Sequence, residues 1–117
     1  SAPFHSSLML PAAVEMKKAL ARVEIKRPRI PIVMNTRASE VSEEQLIRDY
    51  LVDQVTASVR WRESVLFMIE NGTSKFLELG PGKVLTGMLR RIDSGVKGIS
   101  VSSPVDVDLF VGDSKFE

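Results

Sequence analysis

Cysteine is missing from this sequence, and histidine occurs once, at His5. Without thiols there is no disulfide, no thiolate zinc site and no cysteine nucleophile. With a single imidazole, a catalytic zinc would have to rest mostly on carboxylates, against the usual pattern, so no metal site is expected. An excess of charge of one sign is missing too, since Lys+Arg number 16 and Asp+Glu 15, a net +1. That balance gives no broad field for nucleic acid or an anionic membrane surface, and neither is expected as a partner. The apolar runs fall far short of the ~20 residues that a membrane helix needs. Residues Ser1 to Leu8 lack the basic start and apolar core of a signal peptide. A cytoplasmic location is therefore the expectation.

What is present is ordinary for a globular chain: 44% hydrophobic and 26% charged residues in a length of 117. That length suits one small domain or a piece of a larger one. The chain opens on an apolar, proline-containing stretch with no initiator methionine. It reads as an interior stretch of a longer protein.

Periodicity places the elements. Ser6 is expected to cap a first turn, and Pro11 suits a helix start because it has no N–H to leave unpaired. Met9, Ala13, Met16, Leu20 and Val23 recur at steps of three and four, predicting a helix to about Arg22. Lys17, Lys18, Arg22, Lys26, Arg27 and Arg29 follow one another with only Glu24 against them. They read as a solvated helix end and loop, or as an anion-facing surface. Ile32-Val33-Met34, after Pro28 and Pro31, predicts a short buried strand of a parallel sheet.

Ser42-Glu43-Glu44-Gln45 has the form of a capping box ahead of a helix carrying Leu46, Ile47, Tyr50, Leu51 and Val55. After a break at 56–60, Trp61, Val65, Met68 and Ile69 mark another helix, which Asn71-Gly72 ends as a left-handed cap. Lys75 to Leu79 is a strand, Gly80-Pro81-Gly82 a tight turn, and Val84 to Ile92 a helix. Val96 to Val101 is a last strand, and the polar tail from Ser102 is expected to be loosely held. Strands separated by helices predict an α/β layer of three short parallel strands. So thin a sheet would leave apolar surface bare, including parts of Ile32-Val33-Met34 and Phe76-Leu77.

His5 is the one side chain suited to move a proton near neutral pH. A lone histidine beside an apolar helix is also a common structural element. A base of this kind serves a nucleophile, most recognisably a serine on a Gly-x-Ser-x-Gly elbow. None of the seven glycines brackets a serine in that way, and Ser6 and Ser7 are too local to His5 to be obvious partners. Gly80-Pro81-Gly82-Lys83 matches neither the dinucleotide fingerprint nor the P-loop, so it reads as a structural turn.

Three blocks carry a resemblance: Ser1-Ala2-Pro3-Phe4-His5-Ser6-Ser7-Leu8-Met9, Gln54-Val55-Thr56-Ala57-Ser58-Val59-Arg60-Trp61, and Phe76-Leu77-Glu78-Leu79-Gly80-Pro81-Gly82-Lys83-Val84-Leu85-Thr86-Gly87. In this order and spacing the chain resembles the malonyl-CoA:acyl carrier protein transacylases of bacterial fatty-acid synthesis over residues 1 to about 100. Polyketide acyltransferase domains share the pattern more loosely. The resemblance implies the C-terminal part of an α/β-hydrolase-like acyltransferase core, with residues 1–117 incomplete. The elbow serine, the arginine that grips the substrate carboxylate and the ferredoxin-like insertion would lie upstream, in a missing N-terminal part that is itself an expected partner.

By the same resemblance His5 matches the catalytic base, and Gln54 the position whose main-chain carbonyl orients it. The side chain at Gln54 should then matter less than its backbone. Phe4 matches the residue that excludes an α-methyl group from the acyl site. Arg90 and Arg91 match a basic pair that docks the acidic carrier protein, and equally suit a helix C-terminus. Malonyl-CoA and acyl carrier protein are the expected partners. No metal or redox cofactor is implied, coenzyme A thioester being a substrate. The isolated chain is expected to be inactive. The rival readings are a fragment of a polyketide acyltransferase domain and a non-catalytic piece that binds carrier protein through its basic face.

Overall fold

The computed structural model describes residues 2–112. The chain divides into two compact units, 1–67 and 68–117.

In the first unit a 3-10 turn, Ser7–Met9, leads into α1, Leu10–Leu20. Pro11 lies in the first helical turn as expected, and Ser6 takes the N-cap position of the 3-10 turn but makes no side-chain cap bond. Its hydroxyl turns back and donates to the Pro3 carbonyl at 2.6 Å. The Arg48 guanidinium closes the far end of α1 by donating to the carbonyls of Leu20 and Val23, of which Leu20 O also accepts the Val23 N–H at 3.2 Å. Lys17 and Lys18 of the basic run occupy the last turn of α1, and Lys18 pairs with Glu15 at 3.2 Å, both exposed. Such a pair contributes little to stability.

The expected parallel strand at Ile32-Val33-Met34 is a correction. Only Ile32–Val33 forms a strand, β1, and it pairs antiparallel with a short β2, Glu40–Val41. The chain folds back at once: Arg37 and Ala38 both donate to the Met34 carbonyl, and Ala38 takes a left-handed φ of 51°. This local closure leaves no length for a longer strand. Met34 is buried with Val41 and Ile47, and Ile25, Ile32, Leu46, Tyr50 and Leu51 pack around them. Of the stretch expected to lie partly bare, Met34 is buried while Ile32 and Val33 are half-buried.

The third core partner comes from α2, Glu44–Asp53. The capping box is also a correction: Glu43 is the N-cap and no side chain caps the helix. Instead Gln45 donates to Asp49 one turn on. The third helix, α3, Trp61–Glu70, buries Val65 completely. It ends as the Asn-Gly signal requires. Gly72 at φ 97° donates to the Ile69 carbonyl and Thr73 to the Met68 carbonyl, the paired bonds of a Schellman cap.

The second unit holds β3, Lys75–Leu79, α4, Val84–Ile92, and β4, Lys97–Val101. β3 and β4 pair parallel and in register, Lys75 opposite Lys97 through Leu79 opposite Val101. With α4 as the crossover this is one βαβ unit. The α/β class stands, but the parallel sheet has two strands rather than three. Gly98 lets α4 approach: a β-carbon there would stand 2.9 Å from Leu89 Cδ2. Leu89 and Val101 are buried, while Phe76 and Leu77 are half-buried.

Glu78 ties the turn to the helix. Its carboxylate accepts from the Thr86 hydroxyl at 2.6 Å, the Thr86 N–H at 2.7 Å and the Leu85 N–H at 3.2 Å. Thr86 Oγ1 also meets Ser100 Oγ at 2.8 Å. These donors, the Thr86 hydroxyl foremost, hold the Glu78 carboxyl below its ordinary range. A depressed folded pKa stabilises the fold above the unfolded value, and that contribution is lost as pH falls through the folded value. Glu78→Gln is therefore expected to lower Tm at neutral pH. The gap to the parent should close as pH drops below about 4, near the ordinary glutamate value. Thermal melts across pH 3 to 7 would reveal it, and a gap that is constant with pH would refute it.

The expected loose tail is a third correction, because Pro104–Gly112 forms a helix, α5. Ser103 Oγ accepts from the Asp106 N–H, while the Asp106 carboxylate accepts the N–H groups of Ser102 and Ser103. This reciprocal cap, with Pro104 in the first turn, favours a helix start. Residues 113–117 of the tail lie outside the described residues. Among the described residues no helix is long and apolar enough to cross a membrane.

Candidate functional site

The site grows from the segment before α1. His5 has a φ of 63°, a left-handed backbone that costs a side-chain-bearing residue roughly 1–2 kcal/mol. Two bonds to consecutive residues hold it. Its N–H donates to the Val55 carbonyl at 3.0 Å, and its Nδ1 lies 2.6 Å from the Gln54 carbonyl oxygen. At about 1 kcal/mol each, two such bonds offset the strain. A carbonyl only accepts, so Nδ1 carries the proton. In the neutral ring Nε2 then keeps its lone pair, which is the acceptor a general base requires.

Gln54 offers that carbonyl because it is the C-cap of α2. The last carbonyls of a helix have no partner inside it and point along the helix axis. Gln54 O thus orients the imidazole much as a triad carboxylate does, without adding a full charge. Val55 is buried, which anchors the residue next to it.

Phe4 stands beside the imidazole with ring centroids 6.4 Å apart and planes tilted by 53°. It is 58% exposed, so its ring is open to a ligand rather than spent in the core. The first unit therefore brings His5, Gln54 and Phe4 together. Arg90 and Arg91 belong to the second unit, exposed in the last turn of α4. Among the described residues no hydrogen bond joins the hydroxyl of Ser6 or Ser7 to His5. Nor do three His, Asp or Glu side chains converge where they could hold a metal ion.

Sequence reasoning missed Asn35, which follows directly on Ile32-Val33-Met34. Asn35 Nδ2 donates to Gln54 Oε1 at 2.9 Å. The Asn35 carbonyl accepts the Arg60 N–H at 2.7 Å. Two residues on, the Arg37 guanidinium lies 4.1 Å from the Tyr50 ring centroid and donates to Asp53 at 3.3 Å. The turn after β1 is thus clamped to the end of α2 that carries Gln54. An open groove lined by Lys17, Arg48, Asp49 and Val52 lies nearby in the same unit. Its charges oppose one another, and neither His5 nor Gln54 lines it.

No family model matches the chain. The chain is similar to the malonyl CoA-acyl carrier protein transacylase of Bacillus subtilis (strain 168), at 38% identity over 117 residues, all of this chain and 37% of that one. Among solved structures, the acyl-carrier-protein S-malonyltransferase of Bartonella henselae is 41% identical with a TM-score of 0.87, over 96% of this chain and 36% of that one. A malonyl-transacylase in complex with a type II polyketide acyl-carrier protein is 34% identical with a TM-score of 0.84, over 97% and 37%. The chain thus spans little more than a third of the length of the relatives it matches.

Proposed function

We propose, on the premise that the chain belongs with the malonyl-CoA:acyl carrier protein transacylases as a stretch of about 37% of their length, that it supplies the proton-transfer half of a malonyl transfer. The observation that carries this reading is the 2.6 Å contact between His5 Nδ1 and the Gln54 carbonyl. It leaves Nε2 free to act as a base beside the exposed ring of Phe4.

The nucleophile is a serine outside these 117 residues. Its oxygen attacks the thioester carbonyl of malonyl-CoA while His5 Nε2 takes the hydroxyl proton. The carbon–sulfur bond then breaks, and the departing thiolate takes that proton and leaves as coenzyme A. The phosphopantetheine thiol of acyl carrier protein next attacks the serine ester and gives its proton to Nε2. The serine oxygen recovers that proton as it leaves. Only protons and an acyl group move, so the chemistry calls for no metal or redox cofactor. A cytoplasmic enzyme of fatty-acid synthesis is part of the same proposal. Similarity to a transacylase seen with a polyketide carrier protein supports a second reading, in which the acceptor is a carrier of that type.

The test is transfer by the complete protein. Malonyl-CoA and carrier protein should yield malonyl-carrier protein and free coenzyme A in equal amounts. Release of coenzyme A without loading of the carrier would refute the reading.

Phe4 sets acyl selectivity in this scheme, since its ring excludes an α-methyl group by sterics. A contact of that size is worth roughly 1–3 kcal/mol. Phe4→Ser should raise methylmalonyl over malonyl transfer by roughly tenfold or more, read as a ratio of kcat/KM values. An unchanged ratio would remove Phe4 from the acyl site.

Arg90 and Arg91 face the acidic carrier protein. Reversing both to glutamate should raise KM for the carrier, most steeply at low salt, where a Debye length of about 10 Å or more leaves the charges unscreened. Hydrolysis of malonyl-CoA should stay nearly unchanged. Equal losses in both reactions would assign the pair to folding.

A further inference from the structure

We propose that Asn35 is a positioning residue for the His5 base, acting through the side chain of Gln54. This rests on the reading of His5 as the general base. The main-chain carbonyl of Gln54 fixes the imidazole, and a main-chain group is only as fixed as its residue. Gln54 is the C-cap, where a helix frays most readily. Its side chain does not point idly into solvent, because Oε1 accepts from Asn35 Nδ2 at 2.9 Å in a half-buried position.

Asn35 is itself held from both sides. Its carbonyl accepts the Arg60 N–H at 2.7 Å, from the residue preceding α3. Met34, its neighbour, is buried in the core and its carbonyl closes the turn. The chain of contacts therefore runs from the core turn through Asn35 Nδ2 to Gln54 Oε1, and from the Gln54 carbonyl to His5 Nδ1. The Val55 carbonyl, which holds the His5 N–H, follows directly. Asn35 touches neither ring nor substrate in this scheme. It fixes the direction of a carbonyl, and through it the tautomer and aim of the base. The side chain at Gln54, expected from sequence to matter less than its backbone, thereby gains a role of its own.

The experiment compares Asn35→Ala, Gln54→Met and the double variant in the complete protein. Gln54→Met keeps size and removes the acceptor, whereas Gln54→Glu keeps an acceptor for Asn35 Nδ2 and serves as the rescue variant. Nitrogen-15 chemical shifts of the His5 ring report the tautomer without any need for activity. The parent should show a protonated Nδ1 and an unprotonated Nε2. Asn35→Ala and Gln54→Met should each give a mixture of tautomers. Each should lower kcat for malonyl transfer about threefold to tenfold, with KM for malonyl-CoA unchanged. The double variant should be no worse than either single one, and Gln54→Glu should keep the single Nδ1-protonated tautomer of the parent. A tautomer unmoved by Asn35→Ala, or additive losses in the double variant, would overturn the proposal. If the complete protein transfers no malonyl group at all, the functional reading fails, and the ring shifts still decide whether Asn35 fixes His5.

Discussion

Replacing His5 by asparagine in the complete protein is expected to slow acylation of the serine by roughly 10²–10⁴-fold, the usual contribution of a general base. Asparagine is the informative choice because it tolerates the left-handed backbone that His5 adopts at φ 63°. Alanine would add strain to the chemical defect. The backbone bond from residue 5 to the Val55 carbonyl does not depend on the side chain, so the segment should keep its path. KM for malonyl-CoA should change little, since the imidazole acts on a proton rather than on the acyl group. Rapid-quench measurement of acyl-serine formation, with a thermal melt to verify folding, gives the answer. A loss of less than about tenfold in a folded variant would mean that another group moves the proton.

The second large effect concerns the 117-residue polypeptide by itself, which is expected to transfer no malonyl group. A base without its nucleophile retains little of a covalent pathway. The two serines nearest His5 in sequence are poorly placed to replace that nucleophile. Ser6 spends its proton on the Pro3 carbonyl, and Ser7 begins the 3-10 turn that leads away into α1. The polypeptide also presents large apolar side chains to solvent, among them Leu8 at 74%, Leu79 at 73%, Val84 at 71% and Leu109 at 67% exposure. It should therefore associate or unfold readily unless a complementary polypeptide covers them. Adding a polypeptide that carries the elbow serine should restore both solubility and transfer. Sedimentation and a melt, each with and without that addition, would measure the first of these.

Much of the fold could be read from residue patterns, and the errors have physical causes. The Asn71-Gly72 stop was legible because only glycine adopts its φ at no steric cost. The βαβ unit of β3, α4 and β4 was legible because the periodicity changes from a strand run to a helical face across Gly80-Pro81-Gly82. The Ile32-Val33-Met34 strand was misread because an apolar run states burial but not its partner, and the turn at Arg37 and Ala38 supplied a local one. The α5 helix was missed because Ser102, Ser103, Asp106 and Asp108 make the tail read as polar, the pattern of a loop. The cap built by Ser103 and Asp106 outweighed that pattern. At the site, His5 was legible as a lone imidazole. Its contact with Gln54 was not, because 49 residues separate the two. Only the resemblance to a family linked them. Asn35 had no signal of either kind, being an ordinary polar residue after a strand.

The most direct measurement is malonyl-CoA labelling followed by intact mass of each polypeptide, run on the 117-residue chain alone and again with a complementary polypeptide bearing the elbow serine. The expected result is no covalent adduct on the chain alone, and a single malonyl adduct on the complementary polypeptide that is lost when carrier protein is added. A malonyl adduct on the 117-residue chain by itself, at Ser6 or Ser7 for instance, would contradict the assignment of His5 as a base that serves a nucleophile elsewhere.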